Sequence, residues 1–297
     1  MKNKKLITTV LAVLVFALFG GGYYFTAETN KFESGKNLQT ENSIVVNFLD
    51  VGQGDSEFIQ LHDGKCMLID ASVSAASDKI INFISSLGYK RIDYLVATHP
   101  HADHIGGMKA VIEHFDIGEI YMPKVSTNTK TYENLLLAIA DKGLSVHTAK
   151  AGITVIQEQD LSAEFLAPIK TNYENLNNYS AVLRFQYGNN VFLFMGDAEN
   201  TAENQILKNG AKNTLKADVL KVGHHGSKTV SGFEFVSAVL PKVAVIEVGQ
   251  DNSYQHPHDK TIDKFTDIGS KVLRTDLNGN IAVVSDKTEI TVYCEKE

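Results

Sequence analysis

The stretch Tyr94-Leu95-Val96-Ala97-Thr98-His99-Pro100-His101-Ala102-Asp103-His104-Ile105-Gly106-Gly107 opens on a short apolar run and then crowds three histidines and an aspartate together. The apolar run reads as a buried strand. Imidazole nitrogens and a carboxylate are ligands suited to zinc and its neighbours, and H-x-H-x-D-H is far denser than chance use of a rare residue would give. His99 and His101 flank Pro100, so both belong on a loop at the strand's end, where the two rings can turn toward one ion. Asp103 and His104 then open the next helix. These four residues are the first candidate metal ligands. The isolated His62, His114 and His147 have no such company and read as surface or packing residues.

The segment Thr98 to Gly107 resembles the signature of the metallo-β-lactamase superfamily. Three further segments, Phe48-Leu49-Asp50-Val51-Gly52-Gln53-Gly54-Asp55-Ser56, Phe194-Met195-Gly196-Asp197-Ala198-Glu199 and Lys221-Val222-Gly223-His224-His225-Gly226-Ser227, resemble the extracellular metallohydrolase domain of ComEC-type DNA-uptake channels of competent bacteria. This similarity runs from about Asn42 nearly to the end of the chain, without the multi-span channel or the oligonucleotide-binding domain of that family. It implies an α/β fold, the αβ/βα four-layer sandwich of the metallo-β-lactamase type, with a metal centre along one edge of two packed sheets. It also implies two divalent ions as cofactors, zinc with manganese as the alternative. By the same resemblance Asp197 spans both ions, Asp70 braces neighbouring loops from outside the metal shell, and Asp103 orients the nucleophile while ligating.

The sequence departs from the wider superfamily before Asp197. Where many members carry a histidine ligand, this chain has Asn172, Asn175, Asn177, Asn178 and Ser180, and no histidine lies between His147 and His224. One metal site is therefore expected to be a ligand short, which is also what an open catalytic position requires.

Two later apolar runs, Ala217 to Val222 and Val243 to Val248, read as buried strands that feed histidine pairs into one edge of the fold. RNase Z, a phosphodiesterase of the superfamily, has a proton-moving histidine after the first such strand and the last metal ligand after the second. That order makes His256 the ligand and the pair His224 and His225 the proton donors or phosphate contacts, with His225 favoured because Gly226-Ser227 follows it. The rival arrangement, with His225 as ligand and His256 or His258 on the substrate, stays open. Asp55, Asn178, Ser227 and His258 complete the set as candidate substrate contacts.

At the other end of the chain, Lys2, Lys4 and Lys5 precede an apolar stretch of roughly 20 residues from Leu6 to about Phe25, long enough to cross a bilayer. A positive flank followed by a hydrophobic run means export. Residues 1–27 are expected to be a membrane anchor or signal segment, 28–42 an unpatterned tether, and 43–297 the hydrolase domain. The expected location is the cell membrane, single-pass with the catalytic domain outside, or secretion after cleavage. Cys66 and Cys294 sit in strand-like runs and read as free buried thiols.

The chain carries 28 basic and 35 acidic residues, and the part after residue 42 keeps 23 basic against 32 acidic ones, a net charge of −9. No broad basic footprint for nucleic acid exists, although bound divalent ions would offset negative charge at the site itself. The expected function is an exported metal-dependent phosphodiesterase acting on DNA as in ComEC-type domains. The alternatives are a phosphoesterase for a cell-wall or headgroup phosphoester, similar to phosphorylcholine esterases, and a non-catalytic metal-binding envelope module. Apart from a phosphodiester or phosphoester substrate and the membrane, no partner is named by the sequence.

Overall fold

A computed structural model describes residues 29–210 and 215–296. The chain first lays down β1 (Thr29–Lys31), β2 (Ile44–Phe48), β3 (Glu57–Gln60), β4 (Cys66–Ile69), β5 (Arg91–Val96), β6 (Asp116–Met122) and β7 (Val146–Thr148). It then builds a second sheet from β8 (Thr154–Gln157), β9 (Leu161–Phe165), β10 (Leu183–Tyr187), β11 (Asn190–Phe194), β12 (Val219–Lys221), β13 (Val243–Ile246) and β14 (Lys271–Arg274). Finally β15 (Ile281–Ser285) and β16 (Ile290–Cys294) return to the first sheet, whose order is β1-β16-β15-β2-β3-β4-β5-β6-β7. The second sheet runs β14-β13-β12-β11-β10-β9-β8.

Burial explains why these pieces stack in four layers. Strands β2, β4 and β11 are buried on both faces, as strands covered on each side must be. One set of their side chains, Phe48, Ile69 and Phe194 among them, fills the space between the sheets together with Phe185 of β10, and the rings of Phe48 and Phe194 lie 6.1 Å apart there. The other set of the first sheet packs on α1 (Ser77–Ser86), α3 (Met108–His114), which follows the short α2 (Ala102–Ile105), and α4 (Lys130–Asp141) through Leu68, Ile80, Val111 and Leu135. Across the molecule, α5 (Asn200–Lys208), α6 (Phe233–Val239) and α7 (Asp259–Asp267) cover the second sheet through Ile206, Val236 and Phe265. A short α8 (Thr275–Asn278) joins β14 to β15. This is the four-layer αβ/βα sandwich.

One expectation is refined. The segment expected to be a tether contains β1, which pairs in parallel with β16, and Phe32 behind it is buried. An edge strand satisfies its backbone through its neighbour and needs no apolar periodicity of its own, so the pattern gives no warning of it. Cys66 and Cys294 are both free and buried. The expected anchor, residues 1–27, lies outside the described residues; among the described residues no helix is long and apolar enough to cross a membrane.

The topology also fixes where function can sit. Strands β4, β5 and β6 run in parallel, and so do β11, β12 and β13. Parallel neighbours end together, so Asp70, the histidine loop, Asp197, the His224-His225 pair and Glu247 all emerge on one edge of the sandwich.

Candidate metal centre

Asp197 stands at the middle of that edge, 1 % exposed, after the strand end Phe194-Met195-Gly196. Gly196 there has φ 50°, and a Cβ on it would come within 2.9 Å of the Thr98 side chain, so only glycine lets the two loops meet. The Asp197 carboxylate faces two different groups with its two oxygens. Oδ1 lies 3.2 Å from His104 Nε2 and 3.7 Å from His225 Nε2, whereas Oδ2 lies 3.6 Å from His99 Nε2 and 3.7 Å from His224 Nε2. His101 Nδ1 is 2.9 Å from His99 Nε2, and Asp103 Oδ2 is 3.5 Å from His225 Nε2. Two compact ligand sets result: His99, His101 and Asp197 on one side, and Asp103, His104 and His225 on the other.

The remaining nitrogens of these rings are held from behind. His104 Nδ1 is 2.7 Å from Asp70 Oδ2, His225 Nδ1 is 2.9 Å from the Glu247 carbonyl, and His99 Nδ1 is 3.1 Å from Thr98 Oγ1. A carboxylate or carbonyl can only accept, so Nδ1 of His104 and His225 carries a proton, and it is in the neutral ring that Nε2 is left with a lone pair for an ion. His104 Nε2, His225 Nε2 and Asp197 Oδ1 are all buried with no hydrogen-bond partner. Buried polar atoms that converge on one point without partners call for something positive between them, and the donor set of imidazoles and carboxylates fits a divalent ion.

The electrostatics point the same way. Burial opposes charge on Asp197, but His104 and His225 hold its carboxyl well below the ordinary range. Burial likewise opposes protonation of His225, yet Asp197 and Asp55 raise it to about 10 in the ion-free chain. The cluster thus retains a proton where an incoming cation would displace it.

Asp70 behaves as the brace expected of it. Its Oδ1 accepts from the Thr98 backbone N–H at 2.8 Å and its Oδ2 from Thr98 Oγ1 at 2.5 Å, besides facing His104. Asp70→Asn should therefore keep the fold and weaken ion binding about 10- to 100-fold, the usual scale for such orienting partners. A calorimetric metal titration with unchanged affinity would contradict this role.

The structure separates the remaining candidates. Asp55, expected at the substrate, is fully buried: Lys221 Nζ donates to it at 2.7 Å and His225 Nδ1 lies 3.1 Å away. It supports His225 from below and cannot reach a substrate, because a buried lysine needs that carboxylate to offset its own desolvation. Gly54 beside it has no room for a Cβ against the Asp103 carbonyl, so this glycine loop approaches the histidine loop. Asn178 is also buried, its Oδ1 accepting from the N–H groups of Glu199 and Ala202 at the start of α5. Ser227 is buried with its hydroxyl on Thr229, and the Gly226 next to it is packed against Pro257, not open to an anion. His258 leads into α7, its N–H donating to the Gly226 carbonyl at 3.0 Å.

The order expected of the two histidine pairs is reversed in space. His225 Nε2 joins the Asp103 and His104 set, whereas His256 lies outside both sets with its ring 6.4 Å from that of His225. The reason is local: His224 and His225 both have left-handed backbone (φ 45° and 51°), a turn no sequence pattern announces for histidine. It carries the two rings to opposite oxygens of Asp197. His256 instead lines an open polar cavity of about 290 Å³ above the centre, together with His101, Asp103 and His224. Gln53, Asn177 and Tyr254 line it too. None of these three was among the candidates, though Gln53 and Asn177 stand among the residues quoted above and Tyr254 lies two positions before His256. His62, His114 and His147 are elsewhere, ring-packed on Tyr187, Phe115 and Tyr121.

The chain is 35% identical over 253 residues to ComE operon protein 3 of Bacillus subtilis (strain 168), covering 80% of this chain and 32% of that protein. It is 32% identical over 239 residues to Competence protein ComA of Neisseria gonorrhoeae, again with 80% and 32% coverage. The chain therefore spans about a third of the length of these curated relatives. Among solved structures, CmlA, a diiron beta-hydroxylase from Streptomyces venezuelae, superposes with a TM-score of 0.54 at 17% identity, over 82% of this chain and 54% of that one. That likeness is one of fold. The profile described as Metallo-beta-lactamase superfamily matches residues 49–249, the span that carries every residue of both ligand sets, and the chain belongs to that superfamily.

Proposed function

We propose that the chain is a two-metal phosphodiesterase that cleaves DNA outside the cell membrane, held there by its N-terminal apolar segment. One observation carries the reading: each oxygen of the Asp197 carboxylate faces its own histidine set at the floor of an open polar cavity. A pair of divalent ions supplies Lewis-acid polarisation of a phosphoryl oxygen and a water activated at neutral pH. His99, His101 and Asp197 would hold one ion, and Asp103, His104, His225 and Asp197 the other. Asp103, partly open to the cavity, is kept ionised by His225 and His104 against the effect of burial. It can accept a hydrogen bond from the attacking water and fix its direction.

His256 borders the same space as a neutral ring. Burial and then His224 and His225 push it down to about 4, so it serves as a hydrogen-bond contact for a phosphate oxygen or leaving group. DNA is favoured as substrate by the competence-protein relatives and by an exposed aromatic ring, Tyr254, at the cavity's rim. The acidic balance of the domain, 23 basic against 32 acidic residues after residue 42, argues for strand ends or single strands engaged at the metal centre.

The test uses the metal-loaded chain against bis-p-nitrophenyl phosphate, linear and single-stranded DNA, and p-nitrophenyl phosphorylcholine. Cleavage of the diester and of DNA, abolished by chelator and restored by zinc or manganese, is the expected result. Turnover confined to the phosphorylcholine ester would replace DNA by a headgroup substrate. No turnover on any of them, with two ions bound, would leave a metal-stabilised binding module.

A further inference from the structure

We infer that His224 is a fourth protein ligand for the ion held by His99, His101 and Asp197, with Glu199 as the carboxylate that aims it. The inference rests on the two-metal reading above and concerns the side of the centre that lacks the histidine usually found ahead of the β10–β11 hairpin.

The three fully buried site histidines, His99, His104 and His225, share one arrangement: Nδ1 is engaged by an oxygen behind the ring and Nε2 is turned toward Asp197. His224 repeats it. Its Nδ1 is 3.3 Å from both Glu199 Oε1 and Asn177 Nδ2, and its Nε2 is 3.7 Å from Asp197 Oδ2, nearly the 3.6 Å separating His99 Nε2 from the same oxygen. Glu199 can only accept and Asn177 Nδ2 can only donate; in the tautomer bonded to Glu199, Nδ1 carries the proton and the Nε2 lone pair faces a carboxylate oxygen. Two acceptors pointed at each other repel unless a cation lies between them. The ring is 24 % exposed, whereas the other three are sealed, so it can swing the remaining distance onto an ion that His99 and His101 already hold.

The residues standing where the missing histidine is expected support this geometry instead of supplying a ligand. Asn175 Nδ2 donates to Glu199 Oε2 at 2.9 Å, Asn177 Nδ2 lies 3.4 Å from Glu199 Oε1, and Thr229 Oγ1 donates to that same oxygen at 2.9 Å. The asparagine run thereby fixes the carboxylate that fixes His224. The left-handed pair at His224 and His225 sends one ring to each metal site from a single turn.

The test is a cobalt(II) titration of the metal-stripped full chain, followed by visible absorption and by calorimetry. The wild type is expected to take up two ions. His224→Gly, which removes the ring and relaxes the left-handed backbone, is expected to keep one ion at wild-type affinity and to bind the other at least about 100-fold more weakly, with a changed cobalt spectrum. Glu199→Gln should weaken the same ion by about 10- to 100-fold. If the glycine variant does not fold, His224→Asn, which tolerates the same backbone, takes its place. Two ions bound by the variant with affinities and spectrum matching wild type would overturn the inference. A wild-type chain that binds fewer than two ions would overturn the two-metal reading itself, and with it this one.

Discussion

In the Asp197→Asn chain both ions are expected to be lost together, and turnover on a phosphodiester to fall at least about 1,000-fold, the upper range for removing one preorganised electrostatic group. Asparagine keeps the shape of the side chain and its place on the Gly196 turn, so the fold should survive. What disappears is the negative charge shared by His99 and His224 on one side and His104 and His225 on the other. Loss of a ligand unique to one side, such as His101, should by contrast leave one ion in place. Metal analysis of the two purified variants makes the comparison. An Asp197→Asn chain that keeps one ion at full occupancy would show that the carboxylate does not bridge, and the two-site reading would have to be rebuilt around separate ligands.

The second large effect separates His225 from His256. His225→Asn, chosen because asparagine accepts the left-handed backbone at φ 51°, should empty the Asp103 and His104 site and abolish activity. His256→Ala should retain both ions and lose about tenfold in turnover, the scale of one hydrogen bond. The asymmetry follows from position: His225 Nε2 is buried between Asp103 and Asp197, while His256 borders the open cavity. Its loop is already fixed without an ion, since Asn252 donates to the His256 carbonyl and accepts from its N–H. A metal-replete His225→Asn beside a metal-depleted His256→Ala would restore the opposite assignment, the one the order of strands along the chain suggests.

Beneath His225, Lys221 and Asp55 form a fully buried ion pair, with Glu57 and Glu247 close by. Burial first, and then the charge of Asp55, raises the Glu247 carboxyl to about 8, so it stays protonated near neutrality. A neutral Glu247 leaves Asp55 as the carboxylate that offsets the charge of Lys221, which is how a lysine with no access to water can be accommodated. The motifs Gly54-Asp55 and Lys221-Val222 are distant in sequence, and their meeting belongs to the fold alone.

The sequence by itself determined the fold class and most of the candidate metal ligands. H-x-H-x-D-H is local: four candidate ligands on one loop and one helical turn come together whatever the rest of the chain does, and the apolar runs that became β4, β5, β11, β12 and β13 are readable because buried parallel strands are continuously hydrophobic. Asp197 was legible for the same reason, as a carboxylate directly after such a run. What only the tertiary structure decided is the division of labour among residues whose types are equivalent on paper. Asp55, Asn178 and Ser227 are as polar as any substrate contact, yet packing sealed them inside, where Lys221, the start of α5 and Thr229 respectively take them as partners. His225 became the buried neighbour of Asp103 and His256 the cavity wall through two consecutive left-handed residues, a local conformation that histidine seldom adopts and that tertiary contacts must impose. Spacing along the chain counts residues, whereas coordination depends on where each ring nitrogen points, and that direction is set by contacts between segments far apart in sequence.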